Sequence, residues 1–176
     1  MLPPVLRLFT MLGVVSAIAV PVAAASHSPR HSQNLAARGI VAEINEIRAE
    51  RGLRPLKLVR PLTAAAGQHS TEMGSRGYFS HDSADGTAFW KRIEGFYGSR
   101  GYRYWSVGEN LLWSAGPLSP ADAVTMWMNS PPHRENLLDK DWRQIGLSVK
   151  EFDSAPGVYH GLGVTIVTAD FGARTS

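Results

Sequence analysis

The sequence contains no cysteine among its 176 residues. A disulfide framework is therefore excluded, and no cysteine is available to carry a lipid anchor. The fold must rest on its hydrophobic core alone. A hydrophobic content of 44% and a charged content of 19% are ordinary for a globular protein, and the length suits one domain that can bury such a core.

The sequence also lacks any long run of charge of one sign. Its formal net charge is +3, and lysine and arginine are interspersed with acidic residues, so no surface for a nucleic acid is predicted. Two catalytic motifs are absent as well. Without HExxH the sequence does not indicate a zinc metalloprotease, and without GxSxG it does not indicate the nucleophile elbow of an α/β-hydrolase.

The apolar run near the N-terminus, Leu8–Val20, is short for a membrane-spanning helix, which needs about 20 residues, and Pro21 interrupts it. Arg7 precedes the run, and Ala23–Ala25 offers the small residues of a cleavage site. Residues 1–25 are therefore predicted to be a secretory signal peptide, with an uncleaved membrane anchor as the alternative. After cleavage no stable membrane span is expected, and the protein is predicted to be secreted or periplasmic.

Periodicity in the remaining sequence predicts helices first and a sheet last. Residues 26–33 are polar and are expected to form a flexible N-terminal arm, followed by a single domain over residues 34–176. The predicted helices are Asn34–Glu50, Pro61–Arg76, Thr87–Glu94 and a segment capped by Ser119 that stops at Asn129. Alternating apolar residues over Arg143–Phe152 and Val158–Phe171 are typical of antiparallel strands. The predicted fold class is therefore α+β, with helices packed in layers on a sheet.

Two further expectations concern a loop and the exposure of a charged side chain. The segment Gly95–Ser106 has three glycines and five aromatic residues but no apolar period, so it is predicted to be a loop, either beside a cavity or over the core. On the first helix, Ile40, Ile44 and Ile47 share one face, whereas Arg48 lies off that face and is expected to contact water.

Three distant stretches carry the polar residues most suited to chemistry. Two prolines after Trp127-Met-Asn-Ser cannot continue a helix, so His133 is predicted to lie at a fixed bend. The aromatic pair before His81 would anchor its turn in the core. Glu109 begins an apolar run, and a buried carboxylate must pair with a cation, a metal or hydrogen-bond donors. Our central hypothesis is that His81, Glu109 and His133 converge on one polar, metal-competent pocket.

The less specific alternatives stay open at this point. His81 is explained equally by a loop position, and Glu109 by a cap on a backbone amide. His69 shares the inner face of the second helix with Leu62 and Met73, so it is either a hydrogen-bonded core residue or a secondary member of the pocket. Two imidazoles and a carboxylate form a plausible shell for zinc or another divalent cation, with His81 and His133 as ligands. No organic cofactor is predicted.

Taken together in their order, these motifs resemble those of the CAP superfamily, also called the SCP-like or pathogenesis-related-1 family. The resemblance is to its bacterial, disulfide-free branch and runs from about Ile40 to Gly172. The stretches that carry it are Asn45–Arg48, His69–Met73, Tyr78–His81, Gly108–Asn110, Trp127–Arg134, Ile145–Gly146 and Ala169–Gly172.

The resemblance implies a three-layer α-β-α sandwich with a mainly antiparallel central sheet and a large open cleft. In the family two histidines and two acids line that cleft, which carries over to His81, His133 and Glu109. The usual position of the second acid is occupied here by Ser130, so Ser130, with Asn110 beside Glu109, is a secondary cleft candidate. Family members are associated with zinc, with sterol or lipid binding, and with disputed protease activity.

Three functions are compatible with these residues. The first is a secreted protein whose cleft binds a ligand, such as a lipid or a component of the cell envelope, at a metal-competent His/Glu site. The second is an extracellular, peptidase-like hydrolase that uses the same cluster. The third is a structural role, in which the polar cluster only holds the cleft walls together.

Overall fold

The structure, a computed structural model, describes residues 29–176. The predicted signal peptide and residues 26–28 of the predicted arm lie outside this range. The helices of the described range are α1 (Pro29–Ala49), α2 (Arg60–Arg76), α3 (Phe89–Phe96), α4 (Pro120–Asn129) and α5 (Pro131–Leu138). The strands are β1 (Lys57–Leu58), β2 (Tyr104–Ala115), β3 (Gln144–Phe152) and β4 (Val164–Thr175), and a 3₁₀ turn covers Gly157–Tyr159.

The four strands form one sheet in the order β1-β3-β4-β2. β3 and β2 both pair antiparallel with β4, and β1 pairs parallel with β3, so the sheet is mixed but mainly antiparallel. Because side chains alternate along a strand, β4 presents one set of residues to each side. Val167, Ala169 and Phe171 join the core with α1, α4 and α5, whereas Val164 and Ile166 pack on the side of α2. The predicted α+β, three-layer fold is confirmed.

Several predicted elements are found with small changes in their boundaries. α2 begins one residue early, at Arg60, and α4 begins after Ser119, whose hydroxyl accepts a hydrogen bond from the Asp122 backbone N–H at 3.1 Å. α1 begins at Pro29, so residues 29–33 form its first turns and not the flexible arm that was predicted. β2 begins at Tyr104, inside the segment predicted to be a loop.

α2 packs directly against the backbone of β3. A Cβ atom added to Gly146 would lie 2.0 Å from the carbonyl carbon of Leu62, far inside a van der Waals contact. Glycine at position 146 therefore allows α2 to approach the sheet closely. The loop that follows α2 then lies over β2, where His81 meets Glu109. No helix within residues 29–176 combines the length and the apolar character that crossing a membrane requires.

The expectation that Arg48 contacts water is wrong, because its side chain is completely buried. Its guanidinium donates to the carbonyl oxygens of Arg54 at 2.9 Å, Leu137 at 2.7 Å and Asp139 at 2.9 Å. These carbonyls lie in the turn after α1 and at the end of α5, where helix termini leave backbone acceptors unpaired. Arg48 therefore joins the C-terminal ends of two helices.

We expect Arg48→Ala to lower the free energy of unfolding by at least about 3 kcal/mol, since it leaves buried carbonyl oxygens without donors. Chemical denaturation followed by tryptophan fluorescence measures this change. Arg51→Ala is the matched control: Arg51 lies three residues further along and its side chain is 44% exposed, so a loss within about 0.5 kcal/mol is expected. Equal losses in the two variants would contradict the buried role of Arg48.

Candidate functional site

Glu109 is the acid at the centre of the candidate site. Its side chain is only 1% exposed and points from β2 to the side of the sheet that carries α2 and α3. One carboxylate oxygen accepts a short hydrogen bond from the Arg92 guanidinium. The other lies 2.8 Å from Nδ1 of His81. A buried carboxylate is costly unless it is paired, and here both oxygens are paired.

Arg92, which the sequence analysis did not single out, supports two parts of the site at once. Its side chain extends from α3 and is 4% exposed. One terminal nitrogen binds Glu109, and the other donates to the backbone carbonyl of His81 at 2.9 Å. The same guanidinium therefore holds the carboxylate and the loop that carries its histidine partner.

The His81 side chain bridges the buried carboxylate and the solvent. It is 53% exposed, and its ring centroid lies 6.1 Å from that of Phe89. The hydrogen bond with Glu109 raises the pKa of His81, against an opposing effect of burial. Because Nδ1 is engaged with Glu109, Nε2 is the ring nitrogen left to meet a ligand or a proton.

His69 lies behind the loop that carries His81. Its Nε2 is 2.8 Å from the carbonyl oxygen of Ser80, so Nε2 carries the proton and donates it. Burial lowers the pKa of His69, and its Nδ1 is enclosed without a hydrogen-bond partner within residues 29–176. His69 thus positions the residue before His81, and it is fully buried behind the site.

His133 belongs to the first turn of α5, so the prediction that it lies at a fixed bend is wrong. The bend is at Ser130, which ends α4 and precedes α5, and Pro131 and Pro132 occupy the first helical positions, which tolerate proline. Asn110 donates to the carbonyl oxygen of His133 at 2.9 Å and fixes the start of α5.

Asn136 is a second residue that the sequence analysis missed. It donates to the backbone carbonyl of Glu109 at 3.2 Å and to the side chain of Asn110 at 3.0 Å, and it accepts from the indole of Trp142 at 3.0 Å. A Cβ atom on Gly108 would lie 2.8 Å from the Asn136 side-chain oxygen, so glycine is required there. These bonds seat α5 on the outer edge of β2.

The two histidines are held at opposite faces of the sheet. Neighbouring residues on a strand point to opposite sides, so Glu109 faces α3 and His81, and Asn110 faces α5 and His133. Burial lowers the pKa of the partly buried His133, and repulsion from the charge of His81 lowers it further. His81 and His133 are thus anchored to two neighbouring residues of β2, Glu109 and Asn110.

The hydroxyl of Ser130, the residue at the usual position of the second acid, makes no capping bond to α5. A second acid is nonetheless present at Asp170, directly opposite Glu109 on β4 and fully buried. Burial raises the pKa of Asp170, and the adjacent charge of Glu109 raises it further. Neither Asp170 oxygen has a hydrogen-bond partner within residues 29–176.

Comparison with known proteins identifies the family of the chain. The model of the CAP family, described as the cysteine-rich secretory protein family, matches residues 41–171.

This chain belongs to the CAP family.

Its relatives include bacterial proteins. It is 31% identical over 115 residues to the uncharacterized protein YkwD of Bacillus subtilis, covering 65% of this chain and 42% of YkwD. It is 30% identical over 131 residues to the uncharacterized membrane protein YlbC of the same organism, covering 73% of this chain and 36% of YlbC. Without cysteine, the chain fits the disulfide-free branch of the family.

A solved structure with the same fold is an extracellular protein containing a SCP domain from Bacillus anthracis. The identity is 27% and the TM-score is 0.62, with coverage of 82% of this chain and 42% of that one. The chain therefore spans less than half the length of each of these relatives. The comparisons establish the CAP domain and its fold.

The donors present fit a zinc ion poorly. Both oxygens of Glu109 are paired, one with Arg92 and one with Nδ1 of His81. Two imidazole nitrogens then remain, whereas zinc sites in proteins use three or four protein ligands. Within residues 29–176 no group of three or more histidine, cysteine, aspartate or glutamate residues is arranged to hold a metal ion. Zinc binding by this CAP domain stays a prediction.

The pKa of His81 yields a prediction about stability. Because the folded-state pKa lies above the ordinary value of 6.5, the His81–Glu109 contact stabilises fully below that value and loses its effect as the pH rises through the raised pKa. The loss of unfolding free energy caused by His81→Gln should therefore be larger at about pH 5.5 than at about pH 8.5. Chemical denaturation of the unmodified protein and of His81→Gln at each pH measures this loss.

The imidazole NMR signals provide a direct check. His81 should titrate above 6.5, and His69 and His133 below it. Glu46→Gln, on the exposed side of α1, should leave the His81 titration unchanged. In the denaturation experiment, a loss of stability in His81→Gln that is the same at both pH values, or larger at the higher one, would contradict the stabilising His81–Glu109 contact.

Proposed function

We propose that this CAP domain binds an extracellular ligand at the edge of β2, with the imidazoles of His81 and His133 as its polar contacts. The observation that carries the proposal is the pairing of His81 with the buried carboxylate of Glu109. This pairing holds the Nδ1 edge of a half-exposed ring and leaves Nε2 without a bond to Glu109. A ring held in this way loses little freedom on binding, which favours affinity.

The charges beneath the ring favour a ligand with hydrogen-bond acceptors. Arg92 neutralises the charge of Glu109. The charge of a protonated His81 is therefore not cancelled and makes the site positive. His133 contributes a second imidazole from α5. A carboxylate, phosphate or carbonyl group, as carried by lipids and by components of the cell envelope, is the complementary partner.

We propose that the protein acts outside the cytoplasm, in the extracellular space or the periplasm. The predicted signal peptide supports this location. The Bacillus anthracis relative, at 27% identity, is described as an extracellular protein. A cysteine-free sequence is compatible with export because the core, and not a disulfide framework, stabilises the fold.

Hydrolysis of a peptide or an envelope polymer is the second candidate, and the His81–Glu109 pair is the observation in its favour. A carboxylate on Nδ1 fixes the tautomer of a histidine and prepares Nε2 to act as a general base toward water. No hydroxyl group bonds to the His81 ring within residues 29–176, so this candidate requires a water nucleophile.

Binding is tested with dodecanoate as a soluble probe of a carboxylate lipid, titrated against the imidazole NMR signals. We expect the signals of both His81 and His133 to shift. His81→Gln should weaken binding about tenfold or more, the effect of losing a charged hydrogen bond. Glu46→Gln, far from the site on α1, is the control and should bind as the unmodified protein does.

The outcomes separate the candidates. If neither histidine signal shifts with dodecanoate or with solubilised envelope lipids, the cluster has a structural role and the binding proposal is wrong. Release of products from muropeptides by the unmodified protein, lost in His81→Gln and retained in Glu46→Gln, would favour hydrolysis. His81→Gln is preferred to a change at Glu109, which would leave the Arg92 charge buried and unpaired.

The zinc prediction is tested by equilibrium dialysis against zinc at neutral pH. Uptake of one equivalent that disappears in His81→Ala/His133→Ala, with the fold retained by circular dichroism, would confirm the predicted ligands. Uptake should also fall as the pH drops through the histidine range, near about 6.5, because protonated imidazoles do not bind metal. No uptake, or uptake unchanged in the double variant, would contradict the prediction.

A further inference from the structure

A second concave surface lies at the opposite edge of the sheet from Glu109. Two adjoining cavities of about 510 and 100 Å³ lie between α1 and α2, next to β1 and β3. They share four lining residues, which makes them one continuous depression. We call it the α1–α2 groove, and its shared residues are Asn34, Ala37, Thr63 and Leu147.

The charge of the α1–α2 groove is of one sign. Four cationic residues line it, namely Arg30, Arg38, Arg60 and Lys150, and none of its lining residues is acidic. None of these four cations forms an ion pair within residues 29–176. A concave surface with unpaired charges of one sign concentrates counter-ions of the other sign.

The cations are spaced to meet a chain and not a single ion. Arg30, Asn34 and Arg38 follow one another at intervals of four residues, so they share one face of α1. At 1.5 Å per residue, Arg30 and Arg38 lie about 12 Å apart along the helix axis. Arg60 on α2 and Lys150 on β3 line the same groove.

We propose that the α1–α2 groove binds a linear polyanion that carries phosphate groups. Three of the four cations are arginines, whose planar guanidinium groups match phosphate oxygens in pairs. The floor between them is apolar, formed by Ala37, Leu58, Val59 and Leu147, and suits the uncharged links of a polymer backbone.

The lining of the groove favours a phosphate polymer over two other anionic partners, a single-stranded nucleic acid and a membrane. Single-stranded nucleic acids bind through aromatic residues on which their bases stack, and none of the groove residues is aromatic. A membrane presents a broad surface, which a depression between two helices contacts only at its rims. A flexible polymer chain can enter the groove and meet all four cations.

The test measures binding of long-chain inorganic polyphosphate to the purified full-length protein by isothermal titration calorimetry across a range of salt concentrations. If all four cations contact phosphates, the slope of log K against log salt should be about −3, by analogy with single-stranded nucleic acids at about 0.7 per contact. Arg38→Glu/Arg60→Glu should weaken binding by at least about tenfold and reduce the slope.

Arg100→Glu/Arg103→Glu is the matched control. It changes the net charge by the same amount, and both residues are exposed in the segment before β2, at the other edge of the sheet. This control should bind polyphosphate nearly as well as the unmodified protein. Because Arg38 and Arg60 are exposed, Arg38→Gln/Arg60→Gln serves as a milder variant, and thermal unfolding verifies that each protein is folded.

Four outcomes would overturn the proposal. They are no binding of polyphosphate near physiological salt, equal loss in the groove variant and in the control, equal affinity for a poly-glutamate of matched length, and binding of anionic phospholipid vesicles in place of polyphosphate. Retained polyphosphate binding in His81→Gln would show that the groove is independent of the site at Glu109.

Discussion

The architecture of the candidate site depends on one buried ion pair, between Arg92 of α3 and Glu109 of β2. Neither side chain is more than 4% exposed, so neither charge could be buried without the other. The pair also requires that α3 pack at one position over the sheet. Because the second terminal nitrogen of Arg92 binds the carbonyl of His81, that position sets the loop before α3 as well. A histidine that is distant in sequence from Glu109 is thereby brought to its carboxylate.

The other half of the site depends on the fold in a different way. His133 is placed by backbone contacts, since Asn110 binds its carbonyl and Asn136 binds the carbonyl of Glu109. Glu109 and Asn110 are neighbours on one strand that serve opposite faces of the sheet. β2 thus directs one side chain to each histidine, and the site exists only because this strand lies at the edge.

Local signals were sufficient to predict helices α1 to α4 and the two inner strands, β3 and β4, from the sequence. The hydroxyl of Ser119 and the two prolines after Ser130 act within a few residues, and α4 begins and ends where they predict. The same two prolines begin α5, whose start at Pro131 was not predicted. Arg48, Arg92 and Asn136 could not be assigned in this way, because their partners are brought near only by the fold. Asp170 did carry a signal, as an acid inside the apolar stretch Val164–Phe171, where an exposed position is improbable. β2 was not predicted as a strand, and at its Tyr104 end the pairing with Thr175 of β4, and not an apolar period, makes it one.

The edge position of β2 has a consequence for self-association. A long edge strand exposes backbone groups to which a strand of another molecule can pair, a common route to aggregation. Here the indole of Trp127 donates to the carbonyl of Leu111 at 3.1 Å, and Asn136 donates to that of Glu109. α4 and α5 therefore occupy hydrogen-bonding positions that an incoming strand would need. Asn136, which helps to position α5 and His133, therefore also protects the edge strand from pairing with another molecule. Self-association of the protein is thereby linked to residues of its candidate site.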